Sequence, residues 1–129
     1  MRGRLGDKVR FQHILYSIGE IENYPDGVSI EQFLKNSEKR FATIKQIEII
    51  GEACNALTDE LKSLDQDIPW RSIIGFRNIS IHEYFGLDLQ IVWEIAYNDL
   101  PELKEKYKSY WIPYYKYSPS YSIEIKFNY

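Results

Sequence analysis

The chain has 129 residues, 44% hydrophobic and 27% charged, which leaves room for one domain with one modest core. No apolar run approaches the about 20 residues of a membrane span, and the charged opening from Met1 to Arg10 lacks a signal peptide's apolar stretch, so a cytoplasmic protein with no membrane partner is expected. Cys54 is the single cysteine, which excludes an internal disulfide framework and a cysteine-rich zinc site. The net charge of −3 divides into +3 over residues 1–10, −8 over residues 11–100 and +2 over residues 101–129. An acidic body argues against a general nucleic-acid coat, whose affinity comes from neutralising phosphates, but it leaves room for a local basic cleft.

Apolar spacing predicts helix from Lys8 nearly to Tyr110, interrupted by turns. Phe11, Ile14, Leu15, Ile18 and Ile21 recur at three- and four-residue steps and mark one helical face. Tyr24-Pro25-Asp26-Gly27 is a turn signal, and Ser29 with Gln32 reads as a capping box opening a short helix to about Lys35. A long helix follows from about Glu38, with a seam of Phe41, Ile44, Ile47, Ile50, Cys54, Leu57 and Leu61. Asp65 to Pro69 is a connector, and Pro69 suits the first turn of the next helix, which carries Trp70, Ile73 and Ile74. Gly86 is a stop, and Asp88 is an N-cap for the helix holding Leu89, Val92, Trp93 and Ala96. Asp99 and Glu102 around Pro101 repeat the capping-box pattern, so a kink or restart is expected there.

Short connections of this kind favour an antiparallel helical bundle of about four to five helices over residues 1–110, an all-α fold. Residues 111–129 form a tyrosine-rich tail that does not look helical. From Tyr121 to Tyr129 apolar and polar residues alternate, which is a strand signal. A lone strand needs a partner, so the tail is either a strand paired with another subunit or a loose extension.

There is no glycine-rich phosphate loop, no paired-histidine metal pattern and no nucleophile elbow. Of the two histidines, His13 reads as a surface or boundary residue. His82 lies in Arg77-Asn78-Ile79-Ser80-Ile81-His82-Glu83-Tyr84. Here an arginine offers a permanently charged fork to phosphoryl oxygens and a histidine can accept a proton near neutral pH. On an unbroken helix His82 would sit roughly 140° around from Arg77. Convergence would then need a loosened helix or a second copy of the chain across a two-fold axis. By residue type alone, structural roles for these side chains compete with chemical ones.

Arg77-x-x-x-x-His82-x-Tyr84 resembles the R-x-x-x-x-H-x-Y signature of HepT-like proteins in the HEPN superfamily. The blocks Glu48-Ile49-Ile50-Gly51-Glu52-Ala53, Ile68-Pro69-Trp70-Arg71, Ile81 to Asp88, Val92-Trp93 and Asn98 to Leu103 are similar to the same family in the same order. Together they cover about Asp7 to Tyr107. The resemblance implies a homodimeric all-α endoribonuclease that uses no metal and no cofactor. It further implies the toxin role in a toxin–antitoxin pair, whose partner, an MntA-like minimal nucleotidyltransferase, attaches AMP to the motif tyrosine. Carried over residue by residue, Arg77 and His82 become the catalytic pair, Asn78 the supporting polar residue and Tyr84 the site of AMP attachment. Residues 111–129 fall outside the resemblance.

Glu52 is a candidate for orienting Arg77, against the simpler reading of an exposed helical glutamate. Cys54 reads as core, and Trp70 and Trp93 as packing anchors. Tyr107, Tyr110, Tyr114, Tyr115 and Tyr117, interleaved with Lys106, Lys108 and Lys116, can either stack on single-stranded bases or pack in a dimer. The competing functional reading is a non-catalytic dimeric binding subunit of a nucleotidyltransferase.

Overall fold

The first helix, α1 (Gly3–Asn23), starts five residues before the periodic pattern does. In the computed structural model, which describes residues 3–24, 29–77, 79 and 81–111, it is followed by α2 (Ile30–Lys35) and α3 (Ser37–Ala56). Ser29 caps α2 as its sequence predicts, its side chain accepting from the Gln32 amide at 3.2 Å. Asn36 does the same for α3 through the Lys39 amide at 2.9 Å. A polar side chain at each start satisfies amides that have no partner within the helix.

α1 and α3 run antiparallel and are tied at both ends. At one end the buried Asp7 carboxylate accepts from the Thr58 amide at 2.9 Å and from the Thr58 hydroxyl at 2.6 Å. Thr58 in turn caps α4 (Asp59–Lys62). At the other end the Tyr24 carbonyl accepts from Lys39 Nζ at 3.0 Å, and its hydroxyl accepts from Gln46 at 3.1 Å. Between these ties Phe11, Ile14, Ile18, Ile44, Ile47 and Ile50 are buried.

Trp70 opens α5 (Trp70–Ile74). Its indole N–H is shared between the Lys62 and Asp65 carbonyls at 3.1 Å each, which fastens the connector and makes Trp70 the packing anchor expected. Pro69 stands one residue outside the helix, as its N-cap. After a turn comes α6 (Ile81–Tyr84), then α7 (Leu89–Glu94), which Asp88 caps as expected through the Gln90 and Ile91 amides.

α7 does not stop at Pro101. It runs through a π-helical stretch, Ile95–Asp99, into α8 (Leu100–Lys106), and a second π-helical stretch, Tyr107–Trp111, follows. The Asp99 side chain caps nothing and its backbone is helical, so the second capping box is corrected. The Leu100 amide reaches back five residues to the Ile95 carbonyl. This widened turn makes room where a proline ring would otherwise meet the carbonyl four residues earlier. Leu100 and Leu103 are fully buried, so core packing keeps the chain helical through the proline.

Two further expectations are revised. Phe41 is 55% exposed rather than part of the α3 seam, and Thr43 occupies the buried position instead. Tyr107 is buried and stacked on Phe11 (centroids 4.7 Å apart), while Lys106 is engaged by Asp65 at 2.9 Å and Glu102 at 3.1 Å. Hydrogen bonds to these carboxylates raise the Lys106 pKa. Neither residue is available to grip nucleic acid. Tyr114, Tyr115, Tyr117, Lys116 and the expected tail strand lie outside the described residues. Among the described residues there is no strand, and no helix is long and apolar enough to cross a membrane.

Replacing Asp7 with Ala leaves the Thr58 amide and hydroxyl without their buried acceptor. The expected loss is about 1–3 kcal/mol, read as a lower urea midpoint at unchanged slope. Burial pushes the Cys54 thiol up to about 12 from its ordinary 9.0. The unfolded chain therefore releases this proton first, and the stability contributed by the neutral thiol is lost as pH rises. The stability advantage of wild type over Cys54→Ala should shrink between pH 9 and about 12, measured by denaturant unfolding at each pH.

Candidate active site

The motif straddles a break between two helices. α5 ends at Ile74, and the next three amides close short turns: Gly75 to the Arg71 carbonyl at 3.0 Å, Phe76 to Ile73 at 3.2 Å and Arg77 to Ile74 at 3.1 Å. Helix resumes at Ile81, so Arg77 lies in the turn and His82 is the second residue of α6. The 140° separation of a continuous helix therefore does not apply; the His82 side chain lies outside the described residues. Asn78 lies outside the described residues. Phe76 and Ile79 pack against the core on either side of it, so apolar residues anchor the segment between the polar ones.

Arg77 is held from below by glycine. A Cβ built on Gly51 of α3 would stand 2.7 Å from the Ile73 carbonyl oxygen and 3.1 Å from the Arg77 amide nitrogen. Both are backbone atoms with no flexible side chain to yield, so only glycine lets α3 approach this closely. The Arg77 side chain is half-buried, and among the described residues it forms no ion pair.

Glu52, next to this contact, is exposed. It lines a groove of about 540 Å³ between α1 and α3 together with Arg10, His13, Ile49 and Ala53, and no hydrogen bond or ion pair joins it to Arg77 among the described residues. Its placement is that of the exposed helical glutamate, and His13 is the surface histidine expected.

Tyr84 closes α6. Its ring lies flat on Phe41 of α3, with centroids 4.3 Å apart and planes 5° from parallel. Phe85 stands perpendicular to Tyr84 at 5.4 Å and 89° and is 80% exposed. Arg40, Phe41, Tyr84, Phe85, Leu87 and Leu89 line a cavity of about 270 Å³. No hydrogen bond engages the Tyr84 hydroxyl among the described residues. The sequence reading assigned Phe41 to the core and gave Phe85 no role. The available signal was that adjacent helical residues point about 100° apart, so Tyr84 and Phe85 cannot both face inward. Among the described residues no group of three or more His, Cys, Asp or Glu side chains could hold a metal ion.

The fold and motif define a class: an all-α bundle carrying R-x-x-x-x-H-x-Y across a helix break. The family described as Ribonuclease HepT-like matches residues 14–110, and the chain belongs to it. A probable ribonuclease HepT of Thermococcus cleftensis is 36% identical over 97 residues, covering 75% of this chain and 88% of that protein. A candidate RNase of Caldanaerobacter subterraneus is 36% identical over 97 residues, covering 75% and 87%. A candidate RNase of Methanocaldococcus jannaschii is 33% identical over 93 residues, covering 72% and 85%. No solved structure matches the chain.

Gly51→Ala tests the positioning of Arg77. The added methyl forces the α3–α5 contact apart, at a cost of about 1–3 kcal/mol typical of overpacking, read as a lowered melting temperature. Any RNA-cleaving activity measured well below that temperature should fall together with that of Arg77→Ala, while helical content by circular dichroism stays unchanged.

Proposed function

We propose that this chain is an endoribonuclease that cleaves RNA without a metal, with Arg77 and His82 as the catalytic pair and Asn78 in support. Membership of the HepT-like ribonuclease family carries the reading. An Arg77 guanidinium that forms no ion pair among the described residues, at the helix break, supports it. RNA brings its own nucleophile. His82 removes the proton from the ribose 2′-hydroxyl, which attacks the adjacent phosphorus while Arg77 stabilises charge gathering on the phosphoryl oxygens. The bond to the 5′-oxygen breaks, that oxygen takes up a proton, and a 2′,3′-cyclic phosphate remains. The reading places the activity in residues 1–110, in a cytoplasmic homodimer whose two-fold axis sets two copies of the motif around one groove.

The same reading makes the chain the toxin of a toxin–antitoxin pair. Tyr84 is its control point, and an MntA-like nucleotidyltransferase is the partner. The Tyr84 hydroxyl attacks the α-phosphorus of ATP, pyrophosphate leaves, and AMP remains on the ring oxygen. Because Tyr84 is two residues from His82, the added group brings bulk and negative charge into the path of the RNA backbone. The absence of any hydrogen bond to this hydroxyl among the described residues supports its role as acceptor.

Purified protein should cleave RNA in EDTA, leave DNA intact and release cyclic-phosphate ends. His82→Ala and Arg77→Ala should each lower the rate about 10²–10⁴-fold. Cleavage equal in the His82→Ala variant would assign it to a contaminant. A protein that binds the nucleotidyltransferase and cleaves nothing would be the non-catalytic subunit. After mixing with partner and ATP, mass spectrometry should find AMP on Tyr84 and none on Tyr84→Phe.

A further inference from the structure

The aromatic corner beside the motif shares only Tyr84 with the chemistry above; Phe41, Phe85, Leu87 and Leu89 have no part in it. Phe41 and Tyr84 are stacked face to face, Phe85 meets the Tyr84 ring at right angles, and Leu87 and Leu89 complete the lining. A phenyl ring left 80% exposed is costly surface to keep in water unless something covers it. The cavity, at about 270 Å³, is just below the about 300 Å³ at which pockets for small molecules begin. That suits one flat ring system. The Arg40 guanidinium at the rim is engaged by the Phe33 and Leu34 carbonyls that end α2, which leaves the lining mainly aromatic and apolar, as a base requires. Phe85 directly follows Tyr84, so whatever enters the corner lies against the motif tyrosine.

We propose that this corner is a subsite for an unpaired nucleobase of the RNA substrate, with Phe85 as the stacking surface. The proposal rests on the ribonuclease reading and narrows its substrate class. A base within a duplex already has both faces stacked and cannot enter, whereas a base in a loop or single strand can turn out onto an aromatic ring. Phe85 thereby selects single-stranded RNA and sets which nucleotide flanks the cut.

The test uses full-length protein and a single-stranded 2′-O-methyl oligonucleotide containing 2-aminopurine, which cannot be cleaved through its 2′-oxygen and dims when its base stacks. Wild type should quench the probe. Phe85→Ala should abolish quenching and weaken binding about 5- to 150-fold, the range for losing one stacked base. Phe85→Trp should restore both. Because Phe85 is exposed, these variants should melt with wild type. The same probe annealed to its complement should bind weakly and stay bright. Equal quenching by wild type and Phe85→Ala, or equal binding of the duplex, overturns the subsite. Phe85-dependent binding of free 2-aminopurine riboside triphosphate without binding of the oligonucleotide also overturns it, by assigning the corner to a free nucleotide. With unmodified RNA, cleavage that ignores Phe85→Ala sinks the subsite and leaves the ribonuclease standing. Phe85-dependent quenching without cleavage by wild type sinks the ribonuclease and leaves the subsite.

Discussion

At Gly51 the backbone of α3 lies against the backbone of the segment that ends α5, closer than any side chain permits. Helices ordinarily keep their axes 8–10 Å apart because side chains fill the space between them; here the missing Cβ removes that spacer at the one place where Arg77 begins its turn. α3 is itself immobilised by its antiparallel pairing with α1, through Asp7 and Thr58 at one end and Lys39 and Tyr24 at the other. The position of Arg77 is therefore inherited, through one glycine, from the paired helices α1 and α3. Functional groups held within a fraction of an ångström by rigid elements are what a site stabilising a charged transition state requires.

The motif is fastened to α3 twice. Gly51 meets it near Arg77, and Phe41 meets it at Tyr84. These positions are ten residues apart, about 15 Å along the helix axis, whereas an unbroken helix from Arg77 to Tyr84 would advance only about 10 Å. The short turns at Gly75, Phe76 and Arg77 and the non-helical residue at Ile79 supply the additional reach. The break that separates the arginine from the histidine is thus a consequence of tying both ends of the segment to one straight support.

Features governed by neighbours in sequence were legible, and features governed by neighbours in space were not. The Ser29 and Asp88 caps and the core face of α1 follow from local hydrogen bonding and periodicity, and they stand where the pattern puts them. The Asp99 and Glu102 pattern was equally clear and misled. The buried side chains of Leu100 and Leu103 keep the helix continuous there, and a π-helical stretch absorbs the proline. Phe41 satisfied the three-residue step to Ile44, yet the core takes Thr43 and leaves Phe41 for Tyr84, a partner 43 positions later that periodicity cannot see. Arg77, His82 and Tyr84 were found through the motif; by residue type alone they were indistinguishable from a solvated helix face. Phe85 was overlooked because an aromatic residue beside a motif reads as part of its packing.

The acidic body is compatible with an RNA substrate once individual cations are followed. Lys104 and Lys106 face Glu22, Asp65 and Glu102, so the rod formed by α7 and α8 neutralises itself and offers little to a phosphate chain. Among the described residues Arg77 forms no ion pair, whereas the Arg40 guanidinium at the aromatic corner is held by the Phe33 and Leu34 carbonyls. On the proposed ribonuclease reading, ring surface at Phe85 offers affinity that carries no charge, and a strand held through a stacked base is released more easily after cleavage than one held in a strongly basic groove.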